Sequence, residues 1–227
     1  HTFLDLIPDI YHLTIDGEDD QTGDYTFRMF GESAAISLNV NEQTELKLNP
    51  SSQAALYKVQ LSQGDRVYFE SQTINATWSI FDPNAQLVIN RLNSANGFEV
   101  TKTGTYWLSI EGNDSQNSIE SQFVLNVSKP DVSGLILNER VDVVFTKPYE
   151  SKQYTFNLTQ DQWIGFDQLT KGLTDTEWEI KDSEGSSVFA SKSTIVSDIA
   201  TAPKYVKNGS YILILNSLNN VQGGISF

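Results

Sequence analysis

Three stretches of this chain, each about a hundred residues from the next, carry one alternation: DIYHLTI at 9–15, GTYWLSI at 104–110 and GSYILIL at 209–215. Tyr11, Tyr106 and Tyr211 align, 95 and 105 residues apart, and a period of that length is the size of a small domain. In the middle copy Tyr106, Leu108 and Ile110 share one face while Trp107 and Ser109 share the other, which is the period of two of a half-buried strand. A polar loop follows each copy, and an alternating strand returns: Tyr25 to Met29, Phe123 to Val127, and a shortened Ile225-Ser226-Phe227, with Phe227 aligned to Phe27 and Leu125. Each unit is therefore expected to close with a hairpin.

The earlier part of the unit also recurs. YKVQLSQGDRVYF at 57–69 matches YTFNLTQDQWIGF at 154–166 at an offset of 97, and WSIFDPNAQLVI from Trp78 matches WEIKDSEGSSVF from Trp178. Each of these segments is a pair of alternating strands around a polar turn, and the second pair turns at an Asp, whose carboxylate can accept backbone N–H groups of its own turn. No stretch shows convincing helical periodicity. Many short strands at 8–12-residue spacing predict an all-β fold of tandem antiparallel β-sandwich, jelly-roll-like modules. The polar joints Gly31-Glu32-Ser33 and Ser128-Lys129-Pro130-Asp131 divide the chain into residues 1–30, the closing hairpin of a preceding and incomplete repeat, a β-sandwich repeat at 31–128 and a second at 129–227.

Both full units resemble the bacterial pre-peptidase C-terminal domains and the related repeats of large exported proteins. The resemblance is carried by Tyr154-x-Phe156-x-Leu158 before a polar turn, by a strand ending in Asp182-x-x-Gly185, by TGTYWLSIEG at 103–112 and by GDYTFRM at 23–29. Trp78 and Trp178 stand where the family more often has aliphatic residues, and Ala85 stands where the first unit's turn would have Gly. The resemblance implies a non-catalytic jelly-roll-like sandwich, appended to secreted enzymes or strung in arrays, sometimes binding calcium or an extracellular polymer.

Composition narrows the partners. A chain of 227 residues with 39% hydrophobic content can bury a sizeable core. The formal charge of −14 disfavours a phosphate backbone, so nucleic acid is not an expected partner. The absence of Cys excludes disulfides, thiol catalysis and thiolate metal sites, and fits an exported bacterial protein better than a secreted eukaryotic module. The longest apolar runs, such as Tyr211–Leu215, are far too short for a helical membrane span, and any export signal is expected to lie upstream or to have been removed. Asn75, Asn113, Asn126, Asn157 and Asn208 each begin an N-x-S/T triplet, which a chain so rich in Asn, Ser and Thr produces by chance.

No catalytic residue is assigned. The one internal histidine, His12, alternates away from Tyr11 and Leu13 and reads as a surface strand residue, while Asp82 and Asp182 read as turn caps. Calcium is the sharper possibility, because a hard cation needs six to eight oxygens on a flexible loop. The loop DGEDDQTGD at 16–24 offers Asp16, Glu18, Asp19, Asp20 and Asp24; its counterparts keep Glu111, Asn113, Asp114 and Glu120, then Asn216, Asn219 and Asn220. The spacing matches no known calcium motif, so a solvated acidic loop stays open as the other reading. Among the four Trp, Trp78 and Trp178 share the parity of Ile80 and Ile180 and are expected in the core. Trp107 and Trp163 have the opposite parity to Leu108 and Ile164, which makes them candidate contacts for a sugar ring or a neighbouring module, or else packing beneath an edge loop.

The expected function is therefore that of non-catalytic modules of an exported bacterial surface or secreted protein, extracellular or on the cell surface, acting as a spacer or adhesion array whose partners are neighbouring modules. One alternative is a polymer- or carbohydrate-binding accessory module of a secreted hydrolase. Another is a filament subunit in which a strand of one molecule completes the sheet of the next; a chain cut from a longer array explains the unmatched ends more simply.

Overall fold

The computed structural model describes residues 6–17, 22–24, 26–29, 31–71, 75–112, 118–167, 169–170, 173, 175–191 and 203–227, with 189–191 in backbone only. Apart from a single 3₁₀ turn at Glu32–Ala34, its regular elements are strands. The all-β sandwich expected from the alternation is present.

In the first unit the strands are β1 (Ile36–Ser37), β2 (Gln43–Leu48), β3 (Ala54–Leu61), β4 (Arg66–Ser71), β5 (Ala76–Phe81), β6 (Leu87–Leu92), β7 (Asn96–Glu99), β8 (Gly104–Gly112) and β9 (Ile119–Ser128). They form a five-stranded sheet in the order β1-β3-β8-β5-β6 and a four-stranded sheet in the order β2-β9-β4-β7. All ladders are antiparallel except β1 with β3. Alternation explains the layering: Tyr57 and Val59, Trp78 and Ile80, Tyr106, Leu108 and Ile110 point inward from one sheet, and meet Leu46, Leu48, Val67, Phe69, Phe123 and Leu125 from the other. Burying a full aliphatic or aromatic side chain is worth about 1.5–3 kcal/mol, so this cluster is what holds the sandwich shut.

The second unit has β10 (Asp131–Gly134), β11 (Asp142–Phe145), β12 (Ser151–Leu158), β13 (Gln162–Ile164), β14 (Thr176–Asp182), β15 (Ser187–Ser191), β16 (Lys204–Val206), β17 (Gly209–Ser217) and β18 (Gly223–Ser226). Its five-stranded sheet, β10-β12-β17-β14-β15, repeats the order of the first, again with a parallel outer pair. The opposing layer differs. Instead of one four-stranded sheet there are two separate ladders, β11 with β18 and β13 with β16.

Side-chain details recur with the topology. Tyr106 Oη donates to Lys102 O at 3.1 Å and Tyr211 Oη to Lys207 O at 2.8 Å, each four residues upstream, pinning the entry to β8 and β17 in the manner of a tyrosine corner. Phe69 stacks on Trp78 with ring centroids 4.4 Å apart, and Phe166 stacks on Trp178 at 4.5 Å. The turn after β5 and the turn after β14 carry the same hydrogen bonds, as set out below.

Residues before 31 behave otherwise. Among the described residues of 6–29 no strand forms, and the turn and Tyr25 of the closing hairpin expected there lie outside the described residues. Ile10, Tyr11, Leu13, Ile15 and Phe27 are exposed.

Candidate functional site

The described residues of the acidic loops do not gather into one cluster. Of the 16–24 loop, Asp16 and Asp24 are exposed, whereas Glu18, Asp19 and Asp20 lie outside the described residues. In the first unit's counterpart Glu111 pairs with Arg91 at 2.5 Å and Glu120 with Lys47 at 2.6 Å. Hydrogen bonding to Lys47 holds the Glu120 carboxyl below its ordinary pKa; Asn113 and Asp114 are outside the described residues. In the third loop Asn216 Nδ2 donates to Glu177 at 3.1 Å and Asn219 O accepts the Tyr149 N–H at 3.0 Å, while Asn220 is exposed. Among the described residues no group of three or more His, Cys, Asp or Glu side chains is gathered as metal ligands. His12 is exposed and outside any strand.

The four Trp divide by sheet face. Trp78 and Trp178 are 2% and 1% exposed, at equivalent places in the two cores. Trp163 is 67% exposed and lies edge-on to its cross-strand neighbour Tyr205, centroids 5.6 Å apart, with Lys207 Nζ 5.8 Å from the Tyr205 ring. This is an outward aromatic pair with a cation beside it. Of the two readings open for Trp107, surface contact or packing beneath a covering segment, the second describes where it lies. It points away from the main core, as its parity requires, but is only 9% exposed, packed with Leu56 and Phe81 of the same outer face and Ala35 from the segment after the 3₁₀ turn. A covering segment turns an outward Trp into a second small core.

Asp82 and Asp182 are turn caps. Asp82 Oδ1 accepts the N–H groups of Asn84 and Gln86 at 2.8 and 2.9 Å; Asp182 Oδ1 accepts those of Glu184 and Ser186 at 3.0 and 2.8 Å. The fourth residue of each turn is left-handed, Ala85 at φ 58° and Gly185 at φ 83°. Asp82 also meets Lys102 Nζ at 2.6 Å. Burial alone would raise its pKa, but Lys102 and the two backbone donors outweigh that and hold it below the ordinary value.

Two features had no local signal in the sequence. The first is the joint between units. Arg66, 5% exposed, donates from Nε to Tyr149 O at 3.0 Å and from a terminal nitrogen to Ser217 O at 3.2 Å, and its guanidinium sits 3.9 Å from the centroid of the Tyr149 ring. Burial pulls its pKa down, opposed by Tyr149, Glu99 and Glu177. Tyr149, at φ 56°, stacks on Tyr68 at 6.3 Å and covers Gly97, where a Cβ would meet its ring at 2.8 Å. Arg66 and Gly97 thus both pack against residues of the other unit.

The second is a cavity of about 320 Å³ in the second unit, opening between the two separated ladders. Its floor is Phe156, Ile164, Phe166, Ile180, Leu213 and Phe227, and Asn138 and Asp167 stand at its rim. The first unit is filled at the same place. There the corresponding positions, Val59, Val67, Phe69, Ile80, Leu108 and Phe123, belong to one core with fully buried Leu125. Leu125 and Val127 come from the second half of β9, which pairs with β4 from Ser71↔Phe123 to Arg66↔Ser128. In the second unit the same ladder begins, with the Leu169 N–H donating to Ser226 O at 2.8 Å, but β13 pairs only with β16.

The register of that ladder corrects one alignment. Phe227 stacks on Phe166 at 4.8 Å and meets Tyr154 edge-on at 6.0 Å; Phe123 stacks on Phe69 at 5.4 Å and meets Tyr57 edge-on at 5.3 Å. Phe227 therefore occupies the place of Phe123, two residues earlier than the place of Leu125 expected for it.

No family model matches this chain, and no curated protein does. Among solved structures, PliG from Aeromonas hydrophila, a periplasmic inhibitor of g-type lysozyme, is similar at 11% identity and TM-score 0.34, over 41% of this chain and 96% of that one. PliG of Salmonella Typhimurium matches at 9% identity and TM-score 0.33, over 41% and 97%. The CUB1-EGF-CUB2 region of human MASP-1/3 matches at 9% identity and TM-score 0.24, over 82% and 98%. No helix among the described residues is long and apolar enough to cross a membrane.

Proposed function

We propose that this chain is a non-catalytic spacer: a pair of β-sandwich modules of an exported bacterial protein, extracellular or on the cell surface, whose partners are further modules in series. The observation that supports this is the joint. A buried guanidinium bonded to two carbonyls of the next module, with an aromatic ring over it, is directional and desolvated, and a hydrogen bond to a charged group is worth about 1.5–3 kcal/mol. Such a contact transmits orientation from one module to the next, which a linker alone does not. Small-angle scattering tests it: the wild-type chain is expected to fit one fixed arrangement, and Arg66→Ala combined with Tyr149→Ala is expected to broaden it into an ensemble. An unchanged profile for that variant contradicts the reading.

The accessory-module alternative finds support in Trp163 and Tyr205, because an exposed aromatic pair flanked by Lys207 offers a platform for a sugar ring. Affinity electrophoresis in polysaccharide gels separates the two readings, since retardation lost in Trp163→Ala favours the platform. Calcium at Asp16, Glu18, Asp19, Asp20 and Asp24 would stiffen a joint in the same array; it is tested by whether millimolar calcium raises the melting temperature and whether Asp19→Ala with Asp20→Ala removes the rise.

A further inference from the structure

Two Asn-Gly dipeptides occur in the chain, Asn96-Gly97 and Asn208-Gly209. A glycine that follows an asparagine has no Cβ to shield its backbone nitrogen, which can then attack the asparagine's own carboxamide. In a folded chain the outcome depends on what holds that nitrogen.

The two sites differ there. Along an antiparallel ladder, residue pairs that exchange hydrogen bonds alternate with pairs that do not. The Ser217 N–H donates to Glu150 O at 2.9 Å, and the register runs without a shift from Ser151↔Asn216 to Leu158↔Gly209. Leu158–Gly209 is therefore a bonded pair, and the Gly209 nitrogen is tied into the sheet. The Val100 N–H donates to Asp65 O at 2.8 Å, so by the same alternation Val67–Phe98 and Phe69–Asn96 are bonded pairs and Tyr68–Gly97 is not. The Gly97 N–H points away from β4, and β7 has no further strand on that side among the described residues. It donates instead to Oδ1 of Asn96 at 2.7 Å, which keeps the nitrogen within reach of the carboxamide it would attack. Asn96 is exposed, so water reaches the site. Ring closure needs the Asn96 peptide to turn out of strand geometry, and as the first residue of β7 it does so by fraying a single pair.

The glycine is not free to change. A Cβ on Gly97 would meet the Tyr149 ring at 2.8 Å, so the joint requires the residue that makes Asn96 reactive.

We propose that Asn96-Gly97 is a self-modifying site and that its product loosens the joint. The Gly97 nitrogen attacks Cγ of Asn96; the N–Cγ bond forms, the Cγ–Nδ2 bond breaks, and the displaced nitrogen leaves as ammonia, carrying the former Gly97 amide proton. Solvent water then opens the five-membered imide at one of its two carbonyls, giving aspartate or isoaspartate. Isoaspartate routes the main chain through the former side chain and adds a methylene to it, which shifts Gly97 beneath the Tyr149 ring. The chemistry at Asn96 stands without the spacer reading; the consequence for the joint rests on it.

The test incubates the full chain in warm, mildly alkaline buffer and follows it by peptide mass mapping, with isoaspartyl methyltransferase labelling to identify the product. Conversion is expected to be at least about fivefold faster at Asn96 than at Asn208, whose neighbouring nitrogen must first leave its ladder. It is expected to be lost at this position in Asn96→Gln, where attack would have to close a six-membered ring. Small-angle scattering of the aged chain is expected to broaden towards that of the Arg66→Ala, Tyr149→Ala variant, while equally aged Asn96→Gln keeps the profile of fresh chain. Conversion at Asn96 no faster than at Asn208 overturns the assignment of the site. Conversion at Asn96 with an unchanged profile overturns its link to the joint. A fresh chain that already scatters as an ensemble overturns the spacer reading and that link together, and the mass map still decides the chemistry.

Discussion

The two units fold the same five-stranded sheet and differ in the layer that faces it. In the first, β9 is long enough to pair with β2 through its first half and β4 through its second, so four strands become one sheet and Leu125 seals the core. In the second, β18 pairs with β11 and β13 with β16, and among the described residues these are two separate ladders beside a cavity. The same aromatic stack stands in both. In the first unit the second half of β9 closes the sandwich over the aromatic stack.

The largest expected effect tests the shared part. Trp78→Ala and Trp178→Ala should each destabilise their own unit by about 3–5 kcal/mol in urea unfolding. The cost should be greater for Trp78, whose surroundings are closed and whose Nε1 donates to Ser94 O at 2.9 Å. Equal costs would mean that the cavity leaves the second core as well supported as the first. Next comes the difference itself: Leu125→Ala should cost about 2–4 kcal/mol by opening in the first unit what is already open in the second. Phe227→Ala, at the half-buried edge of the cavity, should cost about half as much.

How much of this could be read from the chain follows from what a period of two can say. Alternation fixes the face on which a residue lies, so Trp78 and Trp178 inside and Trp107 and Trp163 on the opposite face were legible. It cannot say what covers a face, and so Trp107 is buried beneath Ala35 while Trp163 is exposed. A slide of two residues preserves every parity, which is why aligning Phe227 with Leu125 looked as good as the true register with Phe123; the ladder with β11 and the stack of Phe227 on Phe166 distinguish them. The Asp-led turns were legible because their hydrogen bonds are local. The Arg66–Tyr149 joint was not, since its partners are 83 residues apart and neither has a signal of its own.

A smaller effect separates the two turns. Ala85 holds a left-handed conformation that costs an L-residue about 1 kcal/mol and costs Gly185 little. Ala85→Gly should therefore raise first-unit stability by up to about 1 kcal/mol, and Gly185→Ala should lower second-unit stability by a similar amount. Smallest is the acid response of the first turn. Asp82 is held below its ordinary pKa, so its contribution is fully present above the unfolded value of about 3.9 and is lost as pH falls through the lower folded value. Lys102→Ala should shrink that loss in melts taken between about pH 4 and pH 2.

The central claim, that β4 is sealed between two strand neighbours whereas β13 has one among the described residues, is tested most directly by hydrogen exchange on the chain as a monomer. β4 has a bonded neighbour on each side, and β13 has one. Peptides covering 66–71 should stay protected while those covering 162–166 exchange at least about tenfold faster, since an amide without a strand partner opens without unfolding the sheet. Equal protection of the two segments at a concentration where the chain is monomeric would contradict the account.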